Sequence, residues 1–319
     1  MIHRWIFLCA ILLWNSSPSF AWGFWAHQRI NYMACFSLPT PLFNYYKPHI
    51  GYLFDHAVDP DKRRYSDPQE APRHFIDLDR YGGTDAVPHR WTAAVEKFTA
   101  DTLLEHGIVP WAIQQFYFRL VNAFRDREEG KILYYSAVLG HYVGDAHVPL
   151  HCTRNYNGQL TGQKGIHGFW ESRLPELFGS DYDFITGECH YLENPLETAW
   201  AILKKSAAAV DSVLTFEAEI SCRMPPDLKF TFEERGNTVV RTYSRKYAAA
   251  YHERLDGQVE RRMMAAVNAV ACYWYSAWID AGQPALTTSI SSPTMNYTEE
   301  VKDSTSSSVH PGHNCDQDQ

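Results

Sequence analysis

The sequence predicts an all-α fold, a single compact multi-helix domain with long connecting loops. Three observations support this prediction. Apolar residues recur at three- and four-residue spacing through six long segments. Only one short stretch is typical of a strand, and no low-complexity linker or internal repeat divides the chain before residue 285. A chain of 319 residues without such a division can bury one substantial core.

The chain begins with the features of a secretory signal. A charged start precedes an apolar run from Trp5 to Trp14, and small residues at Ser19 and Ala21 mark a cleavage site. The apolar run is too short to span a membrane, so we expect an exported protein, periplasmic or extracellular. The predicted organisation is a signal peptide at residues 1–21, the domain at residues 22–284 and a flexible, Ser- and Thr-rich tail at residues 285–319.

The predicted helices follow from apolar spacing and from breaker residues. A stripe from Trp91 includes Phe98, and Pro110 is expected in the first turn of the next helix, where its missing N–H costs nothing. Gly282 and Pro284 end the last helix. The predicted helices span residues 91–105, 111–125, 131–146, 166–178, 195–220 and 244–281, and the one predicted strand spans residues 73–79.

Charge and cysteine content limit the function classes. The formal net charge is −8, and loss of Arg4 with the signal would make it one unit more negative. A broad basic face for duplex nucleic acid is therefore not expected. Six of the seven cysteines follow the signal, which permits up to three disulfides without indicating their pairing. No CxxC pair is present, so a zinc finger is not supported.

The densest group of potential metal ligands runs from His141 to His151. His141 and Asp145 are four residues apart, so a helix would present both on one face toward one cation. Pro149 cannot lie deep inside a helix. We therefore expect a turn there that directs His151 toward a different ion.

A second pair, His167 and Glu171, repeats this spacing. One such pair arises readily by chance among 15 histidines, and it is then usually structural. Two pairs close in sequence, with His151 between them, indicate a metal site. His147 lies two residues from Asp145 on another helical face, and we interpret it as structural.

Upstream residues offer further ligands. Asp59 and His74 provide an oxygen and a nitrogen, both suited to zinc. Lys62 and Arg63 stand beside them and are predicted to bind a substrate phosphate, although a solvated basic turn explains them equally well.

Removal of the signal would create one more ligand. Cleavage after Ala21 leaves Trp22 with a free amine, which can chelate a metal together with its own carbonyl oxygen. His27 follows within reach of the same ion. Processing is therefore expected to complete the site.

Together these motifs resemble the superfamily that joins single-strand-specific zinc nucleases of fungi and plants with bacterial zinc-dependent phospholipase C. The likeness runs from Trp22 to about residue 280. It consists of the mature N-terminal Trp, a His five residues on, an Asp…His pair fifteen apart, HxxxDxxxxxH and HxxxE. Each motif is weak alone, and the combination is specific. The resemblance implies three zinc ions in a cleft of an all-α fold.

The resemblance also implies the ligands and roles. Asp59 would orient the attacking water or accept its proton, and Lys62 falls where nuclease relatives place a phosphate-binding cation. The cations would activate water and stabilise the leaving oxygen of a phosphate ester. The first zinc would be held by Asp59, His74, His141 and Asp145, the second by His151, His167 and Glu171, and the third by Trp22, His27 and Asp145, which bridges it to the first.

The expected function is that of a secreted zinc-dependent phosphodiesterase. The short interval from Trp22 to His27 resembles the nucleases, whereas Glu171 in place of Asp resembles the phospholipases. Nuclease relatives also carry a substrate-binding Gly-Gly-Asn segment in the interval after His151, where this chain offers Asn155 or Asn157 instead. The expected partner is single-stranded nucleic acid or a nucleotide, alternatively a phospholipid.

Two other functions were weighed. A zinc protease is poorly supported because the chain has no HExxH segment. A non-catalytic, exported zinc-binding helical protein remains open, and an accessible coordination position would distinguish an enzyme from it. No stable protein partner is expected.

Overall fold

The computed structural model describes residues 23–286 and has the predicted mostly helical fold, with one two-stranded hairpin as its only sheet in that range. The predicted fold class is therefore confirmed. The elements are α1 (Phe24–Ala34), α2 (Thr40–Tyr46), α3 (Ile50–Asp55), α4 (Asp59–Arg63), α5 (Trp91–Phe98), α6 (Ala100–Glu105), α7 (Val109–Asp126), α8 (Glu129–Ala146), α9 (Ile166–Gly168), α10 (Leu174–Phe178), α11 (Pro195–Arg223), β1 (Phe230–Arg235), β2 (Thr238–Tyr243), α12 (Arg245–Arg254) and α13 (Gln258–Asp280).

Helix α8 lies at the centre of the molecule. It packs against α1, α3, α7, α11 and α13, and every residue from Tyr135 to Ala146 is buried. A helix that is buried on all sides needs apolar or paired polar residues on every face. The polar residues in the buried part of α8, Ser136, His141 and Asp145, therefore face other protein groups rather than bulk water.

Two predicted helices are each divided into two. The predicted helix at 91–105 is interrupted at Thr99, which has φ of 68° and accepts a hydrogen bond from the Thr102 amide as the cap of α6. The predicted helix at 244–281 is interrupted between α12 and α13, where Asp256 and Gly257 both have positive φ. Apolar spacing continues across both breaks, so periodicity alone did not reveal them.

The predicted helix at 166–178 is continuous but irregular. It begins as α9 and ends as α10, and Phe169–Arg173 between them form a π-helical turn. Such turns hold an extra residue and often occur at functional sites. Glu171, one of the predicted ligands, lies in this turn.

The strand prediction at 73–79 is wrong. Short 3₁₀ turns at Ala71–His74 and Leu78–Arg80 occupy most of that stretch. The observed strands β1 and β2 pair antiparallel around Gly236, with Phe230 opposite Tyr243. Two stretches rich in aromatic and β-branched residues, Phe-Thr-Phe and Thr-Val-Val, flank a Gly-Asn turn. They were the available signal for this hairpin.

Several sequence predictions lie outside the described residues. They include the signal peptide, Trp22 and nearly all of the tail. Among residues 23–286, no helix is long and apolar enough to cross a membrane. The cysteines in this range have free thiols.

Candidate metal centre

Two glycines on α8 allow α1 to approach it closely. A side chain at Gly140 would overlap Asn31, and one at Gly144 would lie 3.1 Å from the His27 ring. Asn31 donates to the Ala137 carbonyl (3.1 Å), which fixes the two helices together. The close approach places His27 beside the ligand pair of α8.

Five buried side chains from four segments meet at this point, and we call them the upstream cluster. Asp145 is at its centre: Oδ2 lies 2.9 Å from His74 Nδ1 and 3.2 Å from His141 Nε2, and Oδ1 lies 3.3 Å from His27 Nε2. The His74 and His141 nitrogens are 3.1 Å apart. The members of the upstream cluster are His27, Asp61, His74, His141 and Asp145.

The structure places Asp59 outside this cluster, contrary to its expected role as a ligand. Its side chain is 25% exposed, and its carboxylate accepts from His56 Nδ1 (2.5 Å) and from the Lys62 ammonium (3.1 Å). Burial raises the pKa of Asp59, but these two partners outweigh burial and hold the pKa below its usual value. Asp59 therefore belongs to a surface ion network at the edge of α4.

The carboxylate that α4 contributes is Asp61, which sequence analysis missed. Its Oδ1 lies 3.7 Å from both His74 Nδ1 and His141 Nε2, and the residue is 4% exposed. Two residues in a helix differ by about 200° around the axis, so Asp59 and Asp61 point in nearly opposite directions. The helical phase of α4 was the missing information.

Three further potential ligands form a second group, which we call the downstream cluster: His151, His167 and Glu171. Glu171 Oε2 lies 3.0 Å from His167 Nε2 and 3.4 Å from His151 Nε2. All three side chains are buried. His151 Nδ1 is also 3.7 Å from Asp145 Oδ1, so Asp145 is close to both clusters.

Backbone hydrogen bonds orient two of the imidazoles. His141 Nδ1 donates to the Ala57 carbonyl (2.8 Å), and His151 Nδ1 donates to the His74 carbonyl (2.6 Å). With the proton on Nδ1, each Nε2 keeps a lone pair that faces its cluster. Metal-bound histidines are commonly oriented in this way.

The spacing of the ligand atoms fits a metal ion. Ligands bound to zinc at about 2.0–2.1 Å in a tetrahedron are separated by roughly 3.4 Å. The contacts within the two clusters run from 2.9 to 3.7 Å. Both Asp61 oxygens, His151 Nε2 and Glu171 Oε2 are buried without a hydrogen-bond partner among the described residues. A cation would satisfy such a set of inward-facing acceptors.

The carboxylates of the clusters differ in how their charge is compensated. Burial raises the pKa of Asp145, but His141 and His151 outweigh burial and hold it well below its usual value. Burial and the repulsion by Asp145 raise the pKa of Asp61 well above its usual value, although His74 and Arg64, whose guanidinium lies 3.7 Å from Asp61 Oδ1, oppose this. A divalent cation nearby would stabilise the ionised form of Asp61.

The two predicted substrate-binding residues lie in different environments. The Arg63 guanidinium donates to Glu70 (3.2 and 3.4 Å), which is fully buried. The Lys62 side chain is 53% exposed and lies 5.9 Å from the centre of the Phe24 ring. The Lys62 side chain is thus the more exposed of the pair, since the Arg63 side chain is 27% exposed and is paired with Glu70.

Asn157 and Asn155, considered as substrate-binding residues, form internal contacts of the loop between the downstream ligands. Asn157 Oδ1 accepts from the Gly165 amide (2.9 Å) and from the His167 amide (3.4 Å), so it helps to position a ligand. Asn155 Oδ1 accepts from the Leu160 amide (2.8 Å). Both side chains are buried.

His147 lies outside the two clusters. Its Nδ1 donates to the Val143 carbonyl (2.7 Å), one turn back on α8, and burial lowers its pKa to about 3. Its own carbonyl accepts from Arg262 Nε (2.8 Å). These contacts join the end of α8 to α13, in keeping with the structural interpretation of this residue.

Gly23, the first residue that the structure describes, lies beside the segment that carries Glu171. A side chain at Gly23 would contact Ser172, the residue after Glu171, at 3.0 Å. A side chain at Gly179 would overlap the Trp25 ring, so α10 and α1 are in close contact. Gly23 is thus held next to the ligand segment, and Trp22 itself lies outside the described residues.

The arrangement as a whole has a clear chemical capacity. Buried His, Asp and Glu groups from α1, α4, α8 and the 151–171 segment converge so that they can hold metal ions. Sequence analysis identified each described member of this set except Asp61. Comparison of the chain with protein-family models and with curated proteins finds no match.

Proposed function

We propose that this protein is a zinc-dependent phosphodiesterase that cleaves single-stranded nucleic acids or nucleotides. The observation that carries the proposal is the convergence of two ligand clusters around Asp145, which contacts His141 in one cluster and His151 in the other. Neighbouring metal ions that share a carboxylate are typical of sites for phosphate-ester hydrolysis.

The residues of the two clusters would bind the metal ions directly. The upstream cluster would hold one ion through His74, His141 and Asp145, with Asp61 in the place expected for Asp59. The downstream cluster would hold a second. Bound zinc supplies Lewis-acid activation of water and stabilisation of negative charge on a phosphate ester.

The third ion of the proposal depends on the processed chain start. His27 Nε2 faces Asp145 Oδ1, and Gly23 is held against Ser172 beside Glu171. These contacts support a role for the Trp22 amine at the same ion. A version that retains residues 1–21, or that carries an N-terminal tag, converts this amine into an amide and should lose that ion and most activity.

Substrate contact is proposed for the edge of α4. Lys62 presents an exposed ammonium, which would attract a phosphate, and Asp59 holds that ammonium at 3.1 Å. The proposal also assigns to Asp59, whose side chain is 25% exposed, the orientation of a water molecule at this edge. The negative net charge of the chain disfavours a long duplex, so a flexible single strand is the expected substrate.

The decisive experiment compares substrates with one preparation. Protein processed at Trp22 and loaded with zinc is assayed with single-stranded DNA, RNA, a 3′-nucleotide, duplex DNA and phosphatidylcholine, with a chelated sample as control. We expect faster hydrolysis of the single strands or of the nucleotide than of the duplex or the lipid. Faster cleavage of phosphatidylcholine would instead identify a phospholipase C.

A second candidate, a non-catalytic zinc-binding protein, is favoured by the burial of the ligands. Among the described residues, every member of the two clusters is at most 4% exposed. Closed sites are typical of structural zinc, whereas catalytic zinc keeps an open position. Full zinc content without cleavage of any substrate in the panel would establish this function.

A further inference from the structure

Glu70 is a fully buried carboxylate that belongs to neither cluster. Three side chains donate to it: Arg63 (3.2 and 3.4 Å), Arg73 (3.0 Å) and the hydroxyl of Tyr142. An ionised carboxylate in the interior needs such compensation, because burial without partners is very unfavourable. The two guanidinium groups therefore keep Glu70 charged at a site where water cannot.

The remaining neighbour of Glu70 is a cluster ligand. His74 Nε2 lies 3.5 Å from Glu70 Oε1, an ion-pair distance without hydrogen-bond geometry, on the side of the ring that faces away from the upstream cluster. The opposite ring nitrogen, Nδ1, faces Asp145 and His141. The imidazole of His74 is thus placed between a fixed carboxylate and the upstream cluster.

We infer that Glu70 is a positioning residue that orients the His74 imidazole toward the metal ion. The inference rests on the proposed function, since it assumes that the upstream cluster holds zinc. The negative charge of a carboxylate beside Nε2 favours the tautomer with the proton on that nitrogen, and the Nδ1 lone pair is then directed at the cluster. Carboxylates that contact the outer nitrogen of a metal-bound histidine also raise its basicity as a ligand.

This inference gives Arg63 a different role from the predicted one. Its guanidinium holds Glu70 in place, and the neighbouring Lys62, whose side chain is the more exposed of the two, is the candidate for a substrate phosphate. The basic run of α4 therefore serves two purposes: Lys62 faces outward, and Arg63 faces the carboxylate behind His74.

The chain contains a matched control for this carboxylate. Glu217 is also fully buried, and it accepts from Tyr247 (2.5 Å), Gln163 (2.7 Å) and Lys229 (2.8 Å). Among the described residues, these three partners include no member of either cluster. Removing its charge should therefore disturb packing to a similar degree without a direct effect on a ligand.

The test compares zinc affinity in Glu70→Gln and Glu217→Gln, measured on folded, metal-free protein by competition with a chelator. A Gln amide offers one acceptor oxygen where two carboxylate oxygens now serve several donors. We expect Glu70→Gln to bind one zinc ion roughly 10–100-fold more weakly and Glu217→Gln to bind as the wild type does. Both variants should unfold at lower temperature than the wild type.

Three results would overturn the inference. One is wild-type zinc affinity in Glu70→Gln, and another is an equal loss of affinity in Glu217→Gln. If Glu70→Gln does not fold, Tyr142→Phe replaces it as the test, because it removes one donor to Glu70. We expect Tyr142→Phe to lower the affinity for the same zinc ion by a smaller factor than that given for Glu70→Gln. Unchanged zinc affinity in Tyr142→Phe is the third result that would overturn the inference. A wild-type protein that binds no zinc would instead refute the proposed function, and the inference with it.

Discussion

The two clusters differ in how the chain assembles them. The downstream cluster takes all its ligands from one stretch, His151 to Glu171, whereas the upstream cluster draws on α1, α4, the 3₁₀ turn at His74 and α8. A local cluster depends on helix periodicity and one turn. A dispersed cluster depends on the packing of whole helices, which sequence spacing does not specify.

The residue whose loss should have the largest effect on metal binding therefore lies in the upstream cluster. Asp145 contacts the upstream histidines His74 and His141 and also approaches His151, so both clusters depend on it. Among the described residues, the ion pairs of the downstream cluster join its members to one another and, through His151, to Asp145. The predictions that follow test this asymmetry.

The largest effect is expected for Asp145→Ala. Its loss leaves His27, His74 and His141 without their common carboxylate, so any cations held there would lack compensating charge. We expect loss of more than one zinc ion per chain in elemental analysis, and loss of activity. Glu217→Gln serves as the buried-carboxylate control, and full zinc content in Asp145→Ala would show that the clusters are independent.

The next effect separates the two carboxylates of α4. Asp61→Asn removes a buried charge from the upstream cluster, and we expect zinc there to bind at least about tenfold more weakly. Asp59→Asn should keep wild-type zinc content and lower turnover instead, because its carboxylate faces Lys62. Chelator competition on both variants measures the difference, and the reverse pattern would restore Asp59 as the ligand.

A smaller effect is expected in the downstream cluster. Glu171→Asp keeps the carboxylate but shortens its reach by one carbon, so its contacts to His151 and His167 should lengthen. We expect one ion to bind more weakly and the occupancy of the upstream cluster to stay unchanged. Stepwise zinc titration measures both quantities. Simultaneous loss of both ions would contradict a local downstream site.

The smallest effect on metal binding is expected for His147→Ala. The substitution removes the contact of the ring with the Val143 carbonyl and leaves a cavity at the end of α8. The free energy of unfolding should fall by roughly 2 kcal/mol, measured by denaturant titration, while zinc content stays the same. Normal stability combined with lost zinc would make His147 a ligand.

The comparison also explains what the sequence could predict. The pairs His141–Asp145 and His167–Glu171 follow from helical periodicity, and the structure places each pair together. Asp59 was selected by its spacing to His74, but the direction of a side chain in α4 depends on where that short helix begins, at Asp59 itself. The structure shows that α4 packs against α8, and sequence spacing does not reveal that contact.

The fold shows the same limit. Long helical segments such as α7, α8 and α11 were predicted within a few residues. The breaks at Thr99 and Gly257 depend on single residues in left-handed backbone conformations, and apolar periodicity continues through them. Gly140 and Gly144 carried a further signal, since small residues one turn apart allow two helices to approach closely.

The π-helical turn at Phe169–Arg173 restricts how the length of this segment can change in evolution. Each residue of an α-helix advances by about 100° around the axis, and the extra residue of the turn shifts the phase of everything after it. Deletion of one residue would leave His167 in place but rotate α10, so that Gly179 would no longer meet Trp25. Homologous chains should therefore accept substitutions in this turn more readily than insertions or deletions.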